Sequence, residues 1–196
     1  MTKQNVATTI VLLLCAMLFA VVGSSFMTYR YQKTKIVVTD PKVVASEHVF
    51  VYKKDDEQKT MLTKLVFSDS ELGLKPVTGD QDADTKIPST VTNKNGSEGL
   101  YATFVVDSDA EFDIVVKNIK VESTRNAEKV QAERENLFVA IMDKEDGAKA
   151  LNESSVVLAH ETAAEGKEFV LLFWLDAKAS EELQGAKISF EVHFET

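Results

Sequence analysis

The chain has 196 residues, 22 basic and 31 acidic, for a formal net charge of −9, with a single cysteine and only 8 glycines. Surplus acid repels phosphate backbones and anionic lipid, which argues against a nucleic-acid-binding role. Cys15 lies inside an apolar block, so the polar part of the chain has no thiol to form a disulfide or bind a soft metal.

No charged residue occurs between Lys3 and Arg30, and the unbroken apolar run Ile10 to Val22 lies at the centre of that window. A helix over these 26 residues reaches about 39 Å at ~1.5 Å per residue. That is enough to cross a hydrocarbon core of about 30 Å. Residues 1–29 are therefore predicted to be a signal anchor or transmembrane helix, with 7–27 in contact with the lipid bilayer. Val21-Val22-Gly23 and Gly23-Ser24-Ser25 are poor cleavage sites, and Tyr29 and Tyr31 stand where interfacial aromatics usually sit. An uncleaved anchor is the preferred reading, with cleavage near Ser24 or Ser25 and secretion as the alternative. Lys3 and the α-amine oppose Arg30, Lys33 and Lys35, a near balance that by itself slightly favours a cytoplasmic C-terminal part. A short polar start before a strongly apolar run is nevertheless the usual form of an export signal, so the expected location is a single-pass cell-membrane protein with its C-terminal domain extracytoplasmic. Leu12-Leu13-Leu14 before Cys15 is not a lipoprotein box, and Cys15 is expected to be inert within the membrane.

Residues 30–44 are predicted to be a linker and 45–196 a single domain. Four of the 22 basic residues precede Ile36, so the remainder carries 18 against 31 acids, a net of −13. Short alternating runs predict strands at His48 to Tyr52, Met61 to Phe67, Leu100 to Val106, Phe112 to Val121, Leu137 to Met142, Ser155 to Leu158, Phe169 to Leu175 and Ile188 to Phe194. In the last of these, Ile188, Phe190, Val192 and Phe194 share one face, and Ser189, Glu191, His193 and Glu195 the other, the pattern of a half-buried strand. The run Phe169 to Leu175 is apolar on both faces, as in a doubly covered strand, which makes Trp174 a core anchor. Helical patterns occur over Asn126 to Glu135 and Ala177 to Leu183. Ser68 to Gly99 reads as a long loop, as disorder or a peripheral hairpin in preference to a binding lid, with a weak strand at Thr90 to Thr92. The expected fold is all-β: an antiparallel jelly-roll-like sandwich with one or two short helices, preceded by the N-terminal transmembrane helix.

Alternate carboxylates at Asp80, Asp82 and Asp84 form the one metal candidate, for calcium, because oxygen ligands on a loop can converge on a hard cation. An EF-hand loop starting there would need Gly and Glu where this chain has Thr85 and Val91. His48, His160 and His193 are isolated in sequence. His160-Glu161 opens like a zinc-protease H-E-x-x-H motif but ends in Ala164, and His193 reads as a solvated strand residue. No nucleophile elbow, P-loop or dinucleotide fingerprint occurs. The expectation is no catalytic residue and, calcium apart, no cofactor.

The N-terminal apolar segment, Leu137-Phe-Val-Ala-Ile141, Phe173-Trp-Leu-Asp176, Leu183-Gln-Gly185 and Ile188-Ser-Phe-Glu-Val-His-Phe194 resemble the exported camelysin and biofilm-matrix fibre proteins of Gram-positive bacteria. The likeness covers mainly the last third of the domain. It implies a jelly-roll domain outside the membrane acting as a matrix, fibre or cell-surface component. The chain departs from the fibre formers at Ser25-Phe-Met-Thr-Tyr-Arg30, and it offers no zinc motif for the metalloprotease activity ascribed to camelysin. The expected function is a non-catalytic envelope protein, structural or interacting with itself or with surface partners. A membrane-tethered metal-dependent hydrolase using the Asp80 to Asp84 loop is one alternative. A pilin-like filament subunit is another, disfavoured because the residues before Ile10 contain neither Gly nor Glu.

Overall fold

The computed structural model describes residues 35–68, 74–77, 87–92, 98–123, 133–142 and 147–196. The expected membrane segment, the Asp80 to Asp84 loop and residues 126–132 of the expected helix lie outside them. Ile36–Thr196 forms one compact unit, and its regular elements among the described residues are mostly strands.

Two five-stranded sheets face each other over a common apolar core. The first contains β1 (Val37–Val38), β2 (Lys42–Ala45), β5 (Phe112–Glu122), β8 (Ser155–Glu161) and β10 (Lys187–Glu195). Its order is β1-β10-β5-β8, with β2 also paired to β10. The second contains β3 (Val49–Tyr52), β4 (Gly99–Ser108), β6 (Leu137–Ile141), β7 (Lys149–Ala150) and β9 (Ala164–Leu175), in the order β3-β4-β9-β6-β7.

The period-2 pattern explains the layering. Ile188, Phe190, Val192 and Phe194 of β10 all point into the core, opposite Phe104 of β4 and Phe169, Leu171 and Phe173 of β9. Phe104 stacks on Phe169 at 5.7 Å between ring centroids and meets Phe194 edge-on at 5.5 Å. The double-faced reading of Phe169 to Leu175 holds. Leu172 and Trp174 turn outward and join Val77, Val91, Phe138, Ala140 and Ala148 in a smaller cluster on the outer side of the second sheet. Trp174 is thus a buried anchor of that outer cluster, stacked on Phe138 at 5.8 Å, and not of the central core.

Three expectations need correction. Residues 36–44 are not linker: Ile36 and Val38 are buried, and β1 and β2 pair with β10 in parallel, so the first sheet is not wholly antiparallel. Met61 to Phe67 is not an ordinary strand but a crossing segment that bonds to both sheets. Leu62 N donates to Val51 O at 2.8 Å, while Val43 N donates to Thr63 O and Leu65 N to Pro41 O, each at 2.9 Å. Ser89–Thr92 forms a helical turn instead of a strand, because Pro88 starts it and its carbonyl accepts from Val91 N and Thr92 N, both at 3.0 Å. Val91 then packs on Gly99, where a Cβ would lie 2.9 Å from Val91 Cγ1. The helical pattern over Ala177 to Leu183 does give a short turn, the 3₁₀ turn Glu181–Leu183, capped by Ser180 Oγ accepting from Glu182 N at 3.2 Å.

Glu133 secures that turn, since its carboxylate accepts from Ser180 Oγ at 2.5 Å, Ser180 N at 3.1 Å and Asn136 Nδ2 at 3.0 Å. Burial pushes the Glu133 carboxyl up, but these donors outweigh it and hold the group below its usual range.

Candidate functional site at the β3–β4–β9 end

In β3, Val49 and Val51 point into the core, which leaves Phe50 and Tyr52 on the outer face. Strand register sets Asp107 of β4 opposite Phe50. Asp107 is the hub of the site: Oδ2 accepts from Lys59 Nζ at 2.7 Å, and Oδ1 accepts from Gly166 N at 2.6 Å and Tyr52 Oη at 3.3 Å. Gly166 has φ 63°, and a Cβ there would meet nothing within 4 Å, so glycine serves the backbone conformation rather than space. That conformation accompanies the amide bond to Asp107.

The loop between β3 and the crossing segment brings Lys59 over the Tyr52 ring, 5.1 Å from its centroid. Asp56 braces the loop by accepting from Gln58 N at 3.1 Å and Thr60 N at 2.9 Å, bonds that hold its carboxyl below the usual range. Lys54 pairs with Glu168 at 2.7 Å, which holds its ammonium pKa high. Lys59, hydrogen-bonded to Asp107, is likewise raised above 10.5, and Asp107 is lowered below 3.8, chiefly by Lys59.

These elements rim an open cleft of about 640 Å³ whose walls include Glu47, His48, Phe50, Lys59, Asp107 and Glu165. Phe50 is 41% exposed there. His48 Nδ1 lies 3.1 Å from Asp109 Oδ1, and Ser108 Oγ donates to Ala110 O at 2.8 Å.

The other two histidines also meet carboxylates. His160 Nδ1 lies 2.6 Å from Asp113 Oδ1, its partner in strand register. His193 is not simply solvated. Its side chain is only 16% exposed, with Nε2 at 2.9 Å from Glu191 and Nδ1 at 3.4 Å from Glu195. Lys117 Nζ donates to Glu195 at 2.6 Å and Asn118 Nδ2 to Glu191 at 2.8 Å, and Asn118 is the first cause of the lowered Glu191 pKa. Glu191 and Glu195 flank the ring from opposite sides along one strand, so they cannot close on a single ion. Among the described residues no group of three His, Cys, Asp or Glu side chains could hold a metal. His160 and Glu161 are neighbours on a strand and point to opposite faces, Glu161 pairing with Lys167 at 2.5 Å.

A second cleft, of about 420 Å³, opens where three strands are irregular in the same row. The break between β1 and β2, the register shift between Ser189 and Glu191, and Asn118 at φ 54° all border it.

Acid should weaken the Asp107 hub. Its carboxyl titrates lower in the folded chain than in the unfolded one, so its contribution is present above about pH 4 and is lost as pH falls through the folded value. Raised Lys59 gives the opposite limb, present below 10.5 and lost as pH rises beyond it. In urea unfolding, Asp107→Asn is expected to be less stable than the parent at neutral pH, and the gap is expected to narrow as pH falls below about 4. A gap that persists unchanged at pH 2 would show that the carboxylate's charge is not the cause.

Fold and cleft together define an all-β, two-sheet protein with an ion-paired outer face. Compared with known proteins, the chain matches no family model, no curated protein and no solved structure. Among the described residues no helix is long and apolar enough to cross a membrane.

Proposed function

We propose that the chain is a non-catalytic cell-envelope protein, held by its N-terminal apolar segment or released if that segment is cut. Its sandwich is displayed outside the membrane as a surface or extracellular-matrix module. The strand order β2-β10-β5-β8 facing β4-β9-β6-β7 suits a jelly roll with β3 as an added edge strand, in keeping with the resemblance to camelysin and biofilm-matrix proteins.

The observation that carries this reading is the inequality of the two flanks. On one, Met61 to Phe67 bonds to β2 and β3 and covers both sheet edges. On the other, among the described residues, the first sheet ends at β8, a seven-residue strand carrying Val157 at 39% exposure. A terminal strand of that length can accept another strand from a second copy or a surface partner.

Sedimentation of the full chain in non-ionic detergent tests the assembly role, with Val157→Lys as the edge-blocking variant. Association that rises with concentration and falls in the variant is expected. A strictly monomeric parent that captures no surface partner removes the assembly reading. N-terminal sequencing of the product from fractionated cells tests its location, and recovery of the intact chain with its domain on the cytoplasmic side removes the envelope reading.

A further inference from the structure

We propose that the cleft beside β3 is a receptor for a lysine side chain carried by a basic peptide of a partner protein. The first reason is charge. Among the described residues that line it, Glu47, Asp107, Asp109 and Glu165 face one fixed cation, Lys59. Lys59 is committed to Asp107 and the Tyr52 ring, and His48 to Asp109. Among the described residues Glu47 and Glu165, both exposed, meet no cation. The potential inside the cleft is therefore negative even with its internal pairs formed, which disfavours an anion.

The second reason is the exposed ring of Phe50. Its neighbour Tyr52, on the same face, already carries an ammonium over its ring. Phe50 offers the same kind of surface with no cation over it among the described residues. An exposed aromatic face among carboxylates is the environment in which an ammonium gains from ring and charge together. Ala163 gives the wall a small apolar patch along which a methylene stem can lie. A lysine side chain joins such a stem to an ammonium, and about 640 Å³ leaves room for it together with its peptide backbone. A purely apolar ligand would leave the carboxylates facing it unsatisfied.

The bland alternative is that the acidic surface attracts any polycation, so the test must separate the ring from the charge. The full chain in non-ionic detergent is titrated calorimetrically with a tetralysine peptide at physiological salt, and with spermidine in parallel. Saturable binding of tetralysine at one site is expected, tighter than that of spermidine. Phe50→Ala, which keeps every charge, should weaken it roughly two- to fivefold, the scale of an exposed cation–ring contact. Joint Glu47→Gln and Glu165→Gln should weaken it further. The same neutralisation at exposed Glu122 and Glu153 should leave it unchanged. Binding that ignores Phe50→Ala, or that falls equally with the distant pair, overturns the site. Spermidine binding as tightly as tetralysine overturns the peptide ligand.

Discussion

Phe104→Ala should cost about 3–5 kcal/mol of unfolding free energy, the range for deleting a buried aromatic ring. Phe104 is 0% exposed, stacks on Phe169 and meets Phe194 edge-on, so the vacated space is bordered by both sheets. Neighbouring strands are hydrogen-bonded on either side of β4 and cannot collapse into it. Equilibrium urea unfolding measures the loss, with Val66→Ala, at a position 65% exposed, as the control expected to change stability by no more than about 0.5 kcal/mol. A loss below about 1 kcal/mol for Phe104→Ala would mean the two sheets do not share the core described.

Trp174→Ala should cost about 3 kcal/mol, but with a different signature. Trp174 belongs to the outer cluster, and its neighbours Val77 and Val91 reach it from segments outside the sheets. Removing the indole takes away the surface those segments cover and leaves the inner residues of β9 in place. Amide exchange should therefore rise first at Val77, whose N–H is bonded to Leu175 O at 3.1 Å, and at Val91, while Phe104 and Leu171 stay protected. A uniform rise across β4 and β9 would show that inner core and outer cluster unfold as one. Trp174→Phe, which keeps the stack on Phe138, should cost clearly less.

The long strands were legible because their side chains declare their faces. β10 alternates without exception, and the two-sided run in β9 stated in advance that both sides of the second sheet are covered. β1 and β2 were hidden by brevity: two and four residues, separated by Thr39-Asp40-Pro41, carry too little periodicity to distinguish a strand from a linker. Thr90-Val91-Thr92 has β-branched residues that favour a strand, yet the preceding proline and the packing of Val91 on Gly99 favour the turn.

Little of the candidate site could have been read. Asp107 meets Lys59 and Gly166 across 48 and 59 residues, and no local spacing announces such a meeting. His193 is the instructive exception. Glu191 and Glu195 are visibly on its face of the strand, and a ring between carboxylates at i−2 and i+2 could have been expected. The acidic triplet Asp80, Asp82 and Asp84 lies outside the described residues.

The parallel seating of β1 and β2 against β10 has a consequence for biogenesis. Val43 is bonded into the sheet beside Val192, so the first strands of the domain find their partner only when the last nine-residue strand exists. A nascent chain on the ribosome cannot complete the first sheet until β10 has emerged, and contacts this distant in sequence form slowly. For a protein proposed to cross a membrane, that delay keeps the polypeptide threadable until β10 has been made.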